Sequence, residues 1–434
     1  MSESAVRGTP LVTPLVTPLA REVAGLDACV HCGFCLTACP TYLTLEDEND
    51  SPRGRLALMR GVLDGRLDVG DPDATLHFDR CLGCRACETA CPSGVPYGQL
   101  LEATRATFAA ERKLPFTTRL ILFVFARPRL LDLAMALARV LRATGVPALA
   151  ARLRWRSVHS LAMLAATARP SRRRPVIAQE SSRGTAAVLT GCVMEGLFAP
   201  VNRATEDVLA ANGFALRAAP GQRCCGALHV HAGDAEGARA LARENITAFE
   251  RSGAEFIAVN PAGCGAAMKE YAHLLRDDPQ WAGRAAAVAS RVRDVSELLA
   301  IAGPAPARGP RIRAAYDAPC HLHHAQRVTT PPLDVLRAIG GVELVPLAGA
   351  EQCCGGAGIY NLTQSAIAER VLAPKLAAID ASGADVVATG NPGCMMHIGG
   401  GLARHGSRTV TRHPVEILAD AYAQSAERRS GRHA

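Results

Sequence analysis

The chain has 434 residues, of which 49% are hydrophobic and 4% aromatic, and its formal net charge is +8. This length predicts two or three domains, and since no run of 18 apolar residues occurs, the sequence predicts no membrane-spanning helix. The N-terminus lacks the basic and apolar regions of a secretion signal, so we expect a cytoplasmic protein. Sixteen cysteines in such a protein indicate metal or redox chemistry rather than eight disulfides.

The chain begins with a four-residue repeat, TPLVTPLVTPLA, at Thr9–Ala20. Proline at every fourth position excludes a regular helix and a central strand. We therefore predict a disordered tail over residues 1–25.

Eight cysteines follow in two identical motifs, C-x2-C-x2-C-x3-C-P. This motif is typical of two-cluster ferredoxins, in which the fourth cysteine of each motif ligates the other cluster. Zinc sites use separated C-x-x-C pairs instead. Residues 26–112 are thus predicted to form a ferredoxin-type domain with two [4Fe–4S] clusters. The predicted ligands are Cys29, Cys32, Cys35 and Cys91 for cluster 1, and Cys81, Cys84, Cys87 and Cys39 for cluster 2.

A basic and apolar segment comes next and is predicted to be helical, with its linker, over residues 113–184. Residues 101–176 hold fifteen Lys and Arg against three Asp and Glu. Such a segment can cover the ferredoxin-type domain, lie on an anionic membrane surface, or dock an acidic partner. We expect no nucleic-acid binding, because no recognised reading fold accompanies the charge.

The second half of the chain is an internal duplication. Four cysteines recur at offsets of 128, 129, 129 and 130 residues, and NPAGC at Asn260–Cys264 matches NPGC at Asn391–Cys394. Repetition of four positions in register indicates two copies of one unit. We define module 1 as residues 185–303 and module 2 as residues 311–425.

Each module alternates predicted strands with predicted helices, which favours α/β units with parallel sheets. Predicted strands run into Cys192, through Glu255–Asn260, through Arg311–Asp317 and through Ala384–Asn391, and a helix is predicted at Val201–Gly213. The fold class is therefore a largely helical α+β ferredoxin-like domain followed by duplicated α/β modules. The module cysteines fall at strand ends, where such sheets bind ligands.

Each module contains two adjacent cysteines, here called a doublet. Neighbouring side chains in an extended chain point apart, which suits ligation of two different irons. Three readings stay open: one cluster in each module, one cluster between the modules, or buried structural thiols. The candidate ligands are Cys192, Cys224, Cys225 and Cys264 in module 1, and Cys320, Cys353, Cys354 and Cys394 in module 2.

Together these motifs resemble the CCG modules of heterodisulfide reductase-type proteins, fused behind a ferredoxin domain as in the iron–sulfur subunits of glycolate oxidase. The resemblance rests on CVHCGFCLTACPTY, SPRGR (Ser51–Arg55), CLGCRACETACPSGVPYG and the two doublets. It implies flavin-containing partner subunits that carry FAD and oxidise glycolate to glyoxylate. This chain would pass the electrons on towards quinone or the respiratory chain, with peripheral contact at the cytoplasmic face of the inner membrane. We assign this chain no catalytic residue. It has no G-x-G-x-x-G motif behind a strand and no P-loop, so we expect the flavin on another chain.

The sequence departs from the resembled family at one point. Family members with noncubane clusters end each module with C-x-x-C, whereas here Cys264 and Cys394 lack that second cysteine. His321, beside Cys320, is a candidate substitute ligand or a neighbouring donor, but we favour a solvent-facing histidine at a helix start. Alternative functions are a heterodisulfide reductase-type catalytic subunit and an iron–sulfur subunit of a lactate or glycerol-3-phosphate dehydrogenase.

Overall fold

A computed structural model describes residues 17–153, 158–169, 183–301 and 303–430. Residues 1–16 of the predicted disordered tail lie outside the described part of the chain. Residues 17–25 of that predicted tail are ordered, so the prediction of disorder is wrong for them. Leu19 is fully buried, and its backbone N donates to Thr107 Oγ1 at 3.1 Å. The proline repeat ends at Pro18, so residues 19–25 are free to form a 3-10 turn at Ala20–Glu22 and the first helix.

The ferredoxin-type domain is helical. Its helices are α1 (Val23–Asp27), α2 (Pro40–Leu45), α3 (Pro52–Leu63), α4 (Pro72–Asp79), α5 (Ala86–Thr89) and α6 (Tyr97–Glu111). Proline at the first helical position follows a capping residue in two of them: the side chain of Ser51 caps α3 and that of Asp71 caps α4. The core between these helices includes the buried Met59, Phe78 and Leu100.

The basic segment continues as helices α7 (Phe116–Phe125), α8 (Pro128–Ala143), α9 (Val146–Ala151) and α10 (His159–Ala165). Of the sixteen residues of α8, all described, none is buried. The predicted linker falls largely on residues 170–182, which lie outside the described part of the chain. No helix among the described residues has both the length and the apolar character needed to cross a membrane.

Module 1 contains a parallel four-stranded sheet in the order β2-β1-β3-β4. Its strands are β1 (Thr185–Val188), β2 (Ala215–Leu216), β3 (Phe256–Val259) and β4 (Val292–Asp294). Its helices are α11 (Val193–Leu197), α12 (Ala199–Ala211), α13 (Ala227–Ala232), α14 (Ala235–Ser252), α15 (Ala262–Lys269), α16 (Tyr271–Leu274), α17 (Ala282–Ala289) and α18 (Val295–Ala300).

Module 2 repeats this topology, with a parallel sheet in the order β6-β5-β7-β8. Its strands are β5 (Ala307–Tyr316), β6 (Ile339–Val345), β7 (Val386–Ala388) and β8 (Val410–Arg412). A π-helical turn at His321–Ala325 precedes α19 (Pro331–Arg337), α20 (Tyr360–Thr363), α21 (Ser365–Ser382), α22 (Pro392–His405) and α23 (Pro414–Ser430). The equal strand orders confirm the predicted α/β duplication.

The two modules share one core and touch at their cysteine-bearing edges. A single cluster of buried apolar side chains includes Val208 of module 1 and Leu418 of module 2. At the cysteine edge, the Ala262 backbone N donates to Gly390 O at 3.0 Å. This contact joins the first residue of α15 to the loop ahead of α22, and these two helices carry the last cysteine of each module.

Candidate metal centres

The cysteines predicted for cluster 1 lie around one cavity at the surface of the ferredoxin-type domain. Cys29, Cys32 and Cys35 of the first motif and Cys91 of the second line this cavity, and Cys87 of the predicted cluster 2 also borders it. Cys32 is exposed and the other three are half-buried. Gly33 lies in this loop with a φ of 83°, a conformation that favours glycine. The structure thus brings Cys91, the fourth cysteine of the second motif, close to the first three cysteines of the first motif.

The cysteines predicted for cluster 2 are all buried deeper in the same domain. Burial raises the pKa of the Cys87 thiol well above its usual value, and the nearby thiolates of Cys84, Cys81 and Cys39 raise it further. Electrostatic repulsion of this kind requires the sulfurs to be close neighbours. Cys39, from the first motif, therefore lies near the first three cysteines of the second motif, and it also lies near Cys35 of its own motif.

A fully buried arginine supports this second group. Arg55 donates from Nη1 to Thr41 Oγ1 at 3.1 Å and from Nη2 to Asp50 Oδ1 at 3.1 Å. Thr41 Oγ1 in turn lies 3.2 Å from Cys39 Sγ. Because Asp50 also pairs with Arg80 at 2.9 Å, the site holds two guanidinium groups against one carboxylate. The surplus positive charge favours anionic sulfur nearby.

In module 1, all four candidate cysteines meet at the carboxyl end of the sheet. Cys192 follows β1, the doublet Cys224–Cys225 precedes α13, and Cys264 lies in the first turn of α15. Hydrogen bonds from the thiols of Cys192 and then Cys225 lower the pKa of Cys224 well below its usual value. Cys225 also contacts Cys264. The two doublet sulfurs therefore each contact a different lone cysteine.

Module 2 repeats this pairing. Hydrogen bonds from Cys353 and then Cys394 lower the pKa of the Cys354 thiol well below its usual value. Cys353 contacts Cys320, so each sulfur of this doublet also has its own lone cysteine. The glycines after the two doublets, Gly226 and Gly355, have φ angles of 86° and 87°. A left-handed residue at this point turns the chain sharply away from the sulfurs and explains the recurring CCG.

One contact joins the ferredoxin-type domain to module 2. A hydrogen bond with Cys353 lowers the pKa of the Cys84 thiol, and both cysteines lie in one buried apolar cluster with Tyr360. Tyr360 Oη donates to the backbone O of Arg80 at 2.8 Å. A predicted ligand of cluster 2 and the doublet of module 2 are thus in direct contact. The separate motifs in the sequence do not reveal this proximity.

The donor chemistry of these sites fits iron–sulfur clusters. All sixteen cysteines lie in the described residues, where none forms a disulfide. Backbone N–H groups donate to two of the sulfurs. Gly83 N lies 3.5 Å from Cys81 Sγ, and Gly355 N lies 3.4 Å from Cys353 Sγ. Thiolates with N–H donors aimed at sulfur are the environment that holds such clusters and sets their potentials.

His321, next to Cys320 of module 2, has its ring nitrogens turned away from solvent. His321 Nδ1 lies 3.4 Å from Cys320 Sγ, while its Nε2 is buried and without a hydrogen-bond partner among the described residues. A solvent-facing histidine, one of the two readings from sequence, is therefore wrong for this ring.

His397 was missed by the sequence analysis, although the spacing offered a signal. It stands three residues after Cys394, where the resembled family has the second cysteine of C-x-x-C. Its Nδ1 lies 2.9 Å from Nε2 of His159 and its Nε2 lies 3.4 Å from Ala368 O. Both ring nitrogens are thus occupied by protein partners, which disfavours His397 as a direct metal ligand.

Comparison with protein families finds two matches in this chain. Residues 25–95 match a 4Fe-4S dicluster domain family. Residues 186–269 and 314–399 each match the cysteine-rich CCG domain family. The matched ranges contain both ferredoxin motifs and both doublets.

Curated relatives cover most of the chain. The probable glycolate oxidase iron-sulfur subunit of Bacillus subtilis is 34% identical over 415 residues, covering 91% of this chain and 93% of the relative. The glycolate oxidase iron-sulfur subunit of Escherichia coli is 36% identical over 411 residues, covering 91% and 94%. Lactate utilization protein A of Shouchella clausii is 30% identical over 229 residues, covering 52% of this chain and 95% of that protein.

Proposed function

The chain belongs to the family of glycolate oxidase iron–sulfur subunits, and from this premise we propose that it conducts electrons away from a glycolate-oxidising flavoprotein. Glycolate would be oxidised to glyoxylate on flavin-containing partner subunits, which carry the FAD. This chain would receive the electrons and pass them towards a quinone or the respiratory chain.

The observation that carries the proposal is the contact between Cys84 and Cys353. It makes the cysteine sites continuous: the surface cavity of cluster 1, the buried group around Cys39 and Cys87, and then module 2. Electron transfer needs such short separations between centres, and it needs no organic substrate on this chain.

We propose crossed ligation in the ferredoxin-type domain, with Cys29, Cys32, Cys35 and Cys91 holding cluster 1 and Cys81, Cys84, Cys87 and Cys39 holding cluster 2. When bound, these clusters supply one-electron transfer. The chain's own residues set the conditions: Arg55 adds buried positive charge, and backbone N–H groups point at the sulfurs.

In each module we propose a further iron–sulfur centre on the four cysteines. The pairing of each doublet sulfur with its own lone cysteine supports this reading over buried structural thiols. The arrangement also favours one centre per module over a single centre between modules, because each set is complete within its own sheet edge.

For the membrane contact we propose a surface formed by α7, α8 and α9, here called the α7–α9 face. Large exposed apolar side chains follow one side of these helices, with exposed fractions from 37% to 75%. They include Phe116, Leu120, Phe123, Leu130, Leu133, Leu137, Val140, Val146 and Leu149. Asp132 is the only acidic residue between positions 112 and 153. An apolar face within a segment rich in Arg and Lys suits the headgroup region of an anionic bilayer.

Lactate is the second candidate substrate, because the chain also matches proteins named lactate utilization protein A over half its length. Those relatives cover only 52% of this chain, whereas the glycolate oxidase subunits cover 91%. The longer match favours glycolate.

The test is co-purification with the flavin subunits followed by anaerobic reduction with glycolate, D-lactate or glycerol 3-phosphate. We expect glycolate to reduce the clusters, seen by EPR, at least tenfold faster than the other two. A second test uses the double variant Cys353→Ala, Cys354→Ala, which should leave cluster reduction intact and slow transfer to an added quinone at least tenfold, about 1.4 kcal/mol in barrier. Faster reduction by D-lactate would move the assignment to lactate, and no reduction by any of the three would refute the proposal.

A further inference from the structure

Cys353, the first cysteine of the module 2 doublet, has a sulfur neighbour from outside its module. Its thiol contacts Cys84 of the ferredoxin-type domain in addition to two cysteines of its own module. The equivalent residue of module 1, 129 positions earlier, is Cys224. The thiol of Cys224 contacts Cys192 and Cys225, both in module 1. The two copies of the duplicated unit therefore differ at one sulfur contact.

The contact between Cys84 and Cys353 lies in a buried apolar region where the two units meet. The two cysteines are 8% and 5% exposed, and they belong to one cluster of buried side chains. The other buried members of that cluster are Leu82, Ala86, Tyr360, Ile367, Ala368 and Val371. Because water has little access to the two sulfurs, negative charge on them must be balanced by the protein or by a bound cation.

Polar contacts fix the ferredoxin-type domain against module 2 around this sulfur pair. Tyr360 Oη donates to Arg80 O at 2.8 Å. Thr89 Oγ1 donates to Nδ1 of His324 at 2.9 Å, because the other ring nitrogen donates to Glu351 O at 3.0 Å. Helix α2 of the ferredoxin-type domain also packs against α21. The two sulfurs are therefore held together by a packed interface on more than one side.

Two iron ligands in contact need positive charge beside both of them. A cysteine binds a metal as the thiolate, so Cys84 in cluster 2 and Cys353 in module 2 would both be negative, and such neighbours repel in an apolar site. Gly355 N donates to Cys353 Sγ at 3.4 Å, and the charge of Arg55 acts on Cys84. The Arg55 guanidinium is itself bound to Asp50 at 3.1 Å. An iron bound to both sulfurs would remove the repulsion directly.

Cys84 also adds a sulfur to the four that module 2 has of its own. Within the module, Cys354 contacts Cys394, whereas Cys84 meets the other doublet residue, Cys353. The position three residues after Cys394 is His397, and both of its ring nitrogens have protein partners. The additional ligand in contact with this centre is therefore a cysteine of the ferredoxin-type domain.

One cysteine sulfur can bind two irons at the same time. A thiolate keeps free lone pairs after it has bound one metal ion, and iron readily accepts such soft ligands. Cys84 can thus remain a ligand of cluster 2 and also bind an iron that Cys353 holds. The proton that the two thiols share in the metal-free protein is released when both bind iron, and no electron is transferred in this step.

We propose that Cys84 bridges cluster 2 and the iron–sulfur centre of module 2, with its thiolate bound to one iron of each. The inference rests on the proposed function, because it needs both centres, and it makes them one electronic unit. Electrons pass from cluster 2 to module 2 through a single sulfur atom. Module 1 lacks the equivalent contact at Cys224, so its centre is not joined to cluster 2 in this way.

The test compares two cluster 2 cysteines in the same motif. Cys84→Ala and Cys81→Ala each remove one ligand of cluster 2, but Cys81 lies in the core of the ferredoxin-type domain whereas Cys84 contacts module 2. After anaerobic reconstitution with iron and sulfide, we expect Cys84→Ala to lose about twice as much iron as Cys81→Ala, because two centres are damaged instead of one. Iron is counted per folded chain in the main peak of a gel-filtration column, so misfolded protein does not contribute.

A second variant approaches the bridge from the module side. Cys353→Ala removes the module 2 partner of Cys84 and leaves all four cysteines of cluster 2 in place. In protein reduced with dithionite, we expect the EPR g values of cluster 2 to shift in Cys353→Ala. The matched variant Cys224→Ala, at the equivalent position of module 1, should leave the g values of cluster 2 at those of wild type.

The bridge is overturned if Cys84→Ala and Cys81→Ala lose equal amounts of iron. It is also overturned if cluster 2 keeps its wild-type g values in Cys353→Ala, or if Cys224→Ala shifts them equally. Neither measurement uses glycolate, so these results bear on the bridge alone, and reduction by glycolate tests the proposed function separately.

Discussion

At the residue scale, the doublets have a simple geometric explanation. Adjacent side chains diverge, so one sulfur reaches the lone cysteine after the module's first strand and the other reaches the lone cysteine on the helix that follows its third strand. Cys224 contacts Cys192 while Cys225 contacts Cys264. Two neighbouring cysteines thereby gather four sulfurs from three separate loops, which a C-x-x-C pair on one loop does not do.

Crossed ligation of the two ferredoxin clusters is tested by single substitutions. Cys39→Ser should disturb the cluster held by Cys81 and its neighbours, because Cys39 lies with that group. The matched variant Cys35→Ser, in the same motif, should disturb the other cluster. We therefore expect the reduced variants to show two different EPR spectra, each with about half the wild-type spin intensity.

A third variant sharpens the test. Cys91→Ser should give the spectrum of Cys35→Ser, since both residues line the same cavity. If Cys39→Ser and Cys35→Ser instead gave one and the same spectrum, the motifs would each hold their own cluster and the crossed assignment would be wrong.

At the element scale, α8 has no buried residue along its whole length, and it presents apolar residues to solvent. Leu133, Leu137 and Val140 recur three or four positions apart and are 56%, 60% and 64% exposed. This spacing places them on one side of the helix. The buried side of a globular helix is normally apolar, so an exposed apolar side indicates a partner outside the chain.

The α7–α9 face should bind anionic lipid vesicles. We expect the holoprotein to sediment with vesicles containing phosphatidylglycerol but far less with pure phosphatidylcholine, and less at high salt, because Arg and Lys supply part of the attraction. The double variant Leu133→Ser, Leu137→Ser should lower the partition constant at least tenfold, since each buried leucine contributes about 1.5–3 kcal/mol.

The matched control is Ile301→Ser with Leu362→Ser, which removes two apolar side chains that are 69% and 53% exposed elsewhere on the protein. That control should bind vesicles like wild type. Equal loss in both double variants, or sedimentation that ignores lipid charge, would exclude this face as a membrane contact.

At the scale of the whole molecule, the two modules are held together through groups that stay uncharged. His413 Nε2 donates to Asn260 O at 3.0 Å across the module boundary, and its Nδ1 accepts from Val415 N at 3.2 Å. Burial lowers the pKa of His413 to about 4. The neutral ring satisfies both contacts, whereas the protonated ring could no longer accept from Val415.

Acid should therefore weaken the assembly of the modules. The pKa of His413 is about 4 in the folded protein, which is lower than the value of about 6.5 expected in the unfolded chain. Its contribution to stability is thus complete above pH 6.5 and is lost as the pH falls from 6.5 towards 4, by up to about 1.4 kcal/mol per pH unit. His413→Gln keeps a donor for Asn260 and removes the titration, so we expect its Tm to fall less than that of wild type between pH 7.5 and pH 5.5.

His405→Gln, at an exposed position on α22, is the control and should keep the wild-type pH dependence. Parallel pH profiles for wild type and His413→Gln would show that this contact does not contribute to acid sensitivity.

The sequence by itself determined the covalent repeat and the chemistry. The two C-x2-C-x2-C-x3-C-P motifs, the doublets and the strands that precede Cys192 and Cys320 depend on the spacing of residues close together in the chain, which the sequence shows directly. The duplicated α/β fold followed from the same patterns, because alternating strands and helices leave few topologies open.

Only the tertiary structure decided which parts meet. Cys84 and Cys353 are 269 positions apart, and nothing in either motif indicates that they touch. The order of residues 19–25 likewise depends on the contact of Leu19 with Thr107 of α6. Such contacts are set by burial of apolar surface between distant segments, which depends on the whole assembled shape and not on the spacing of residues along it.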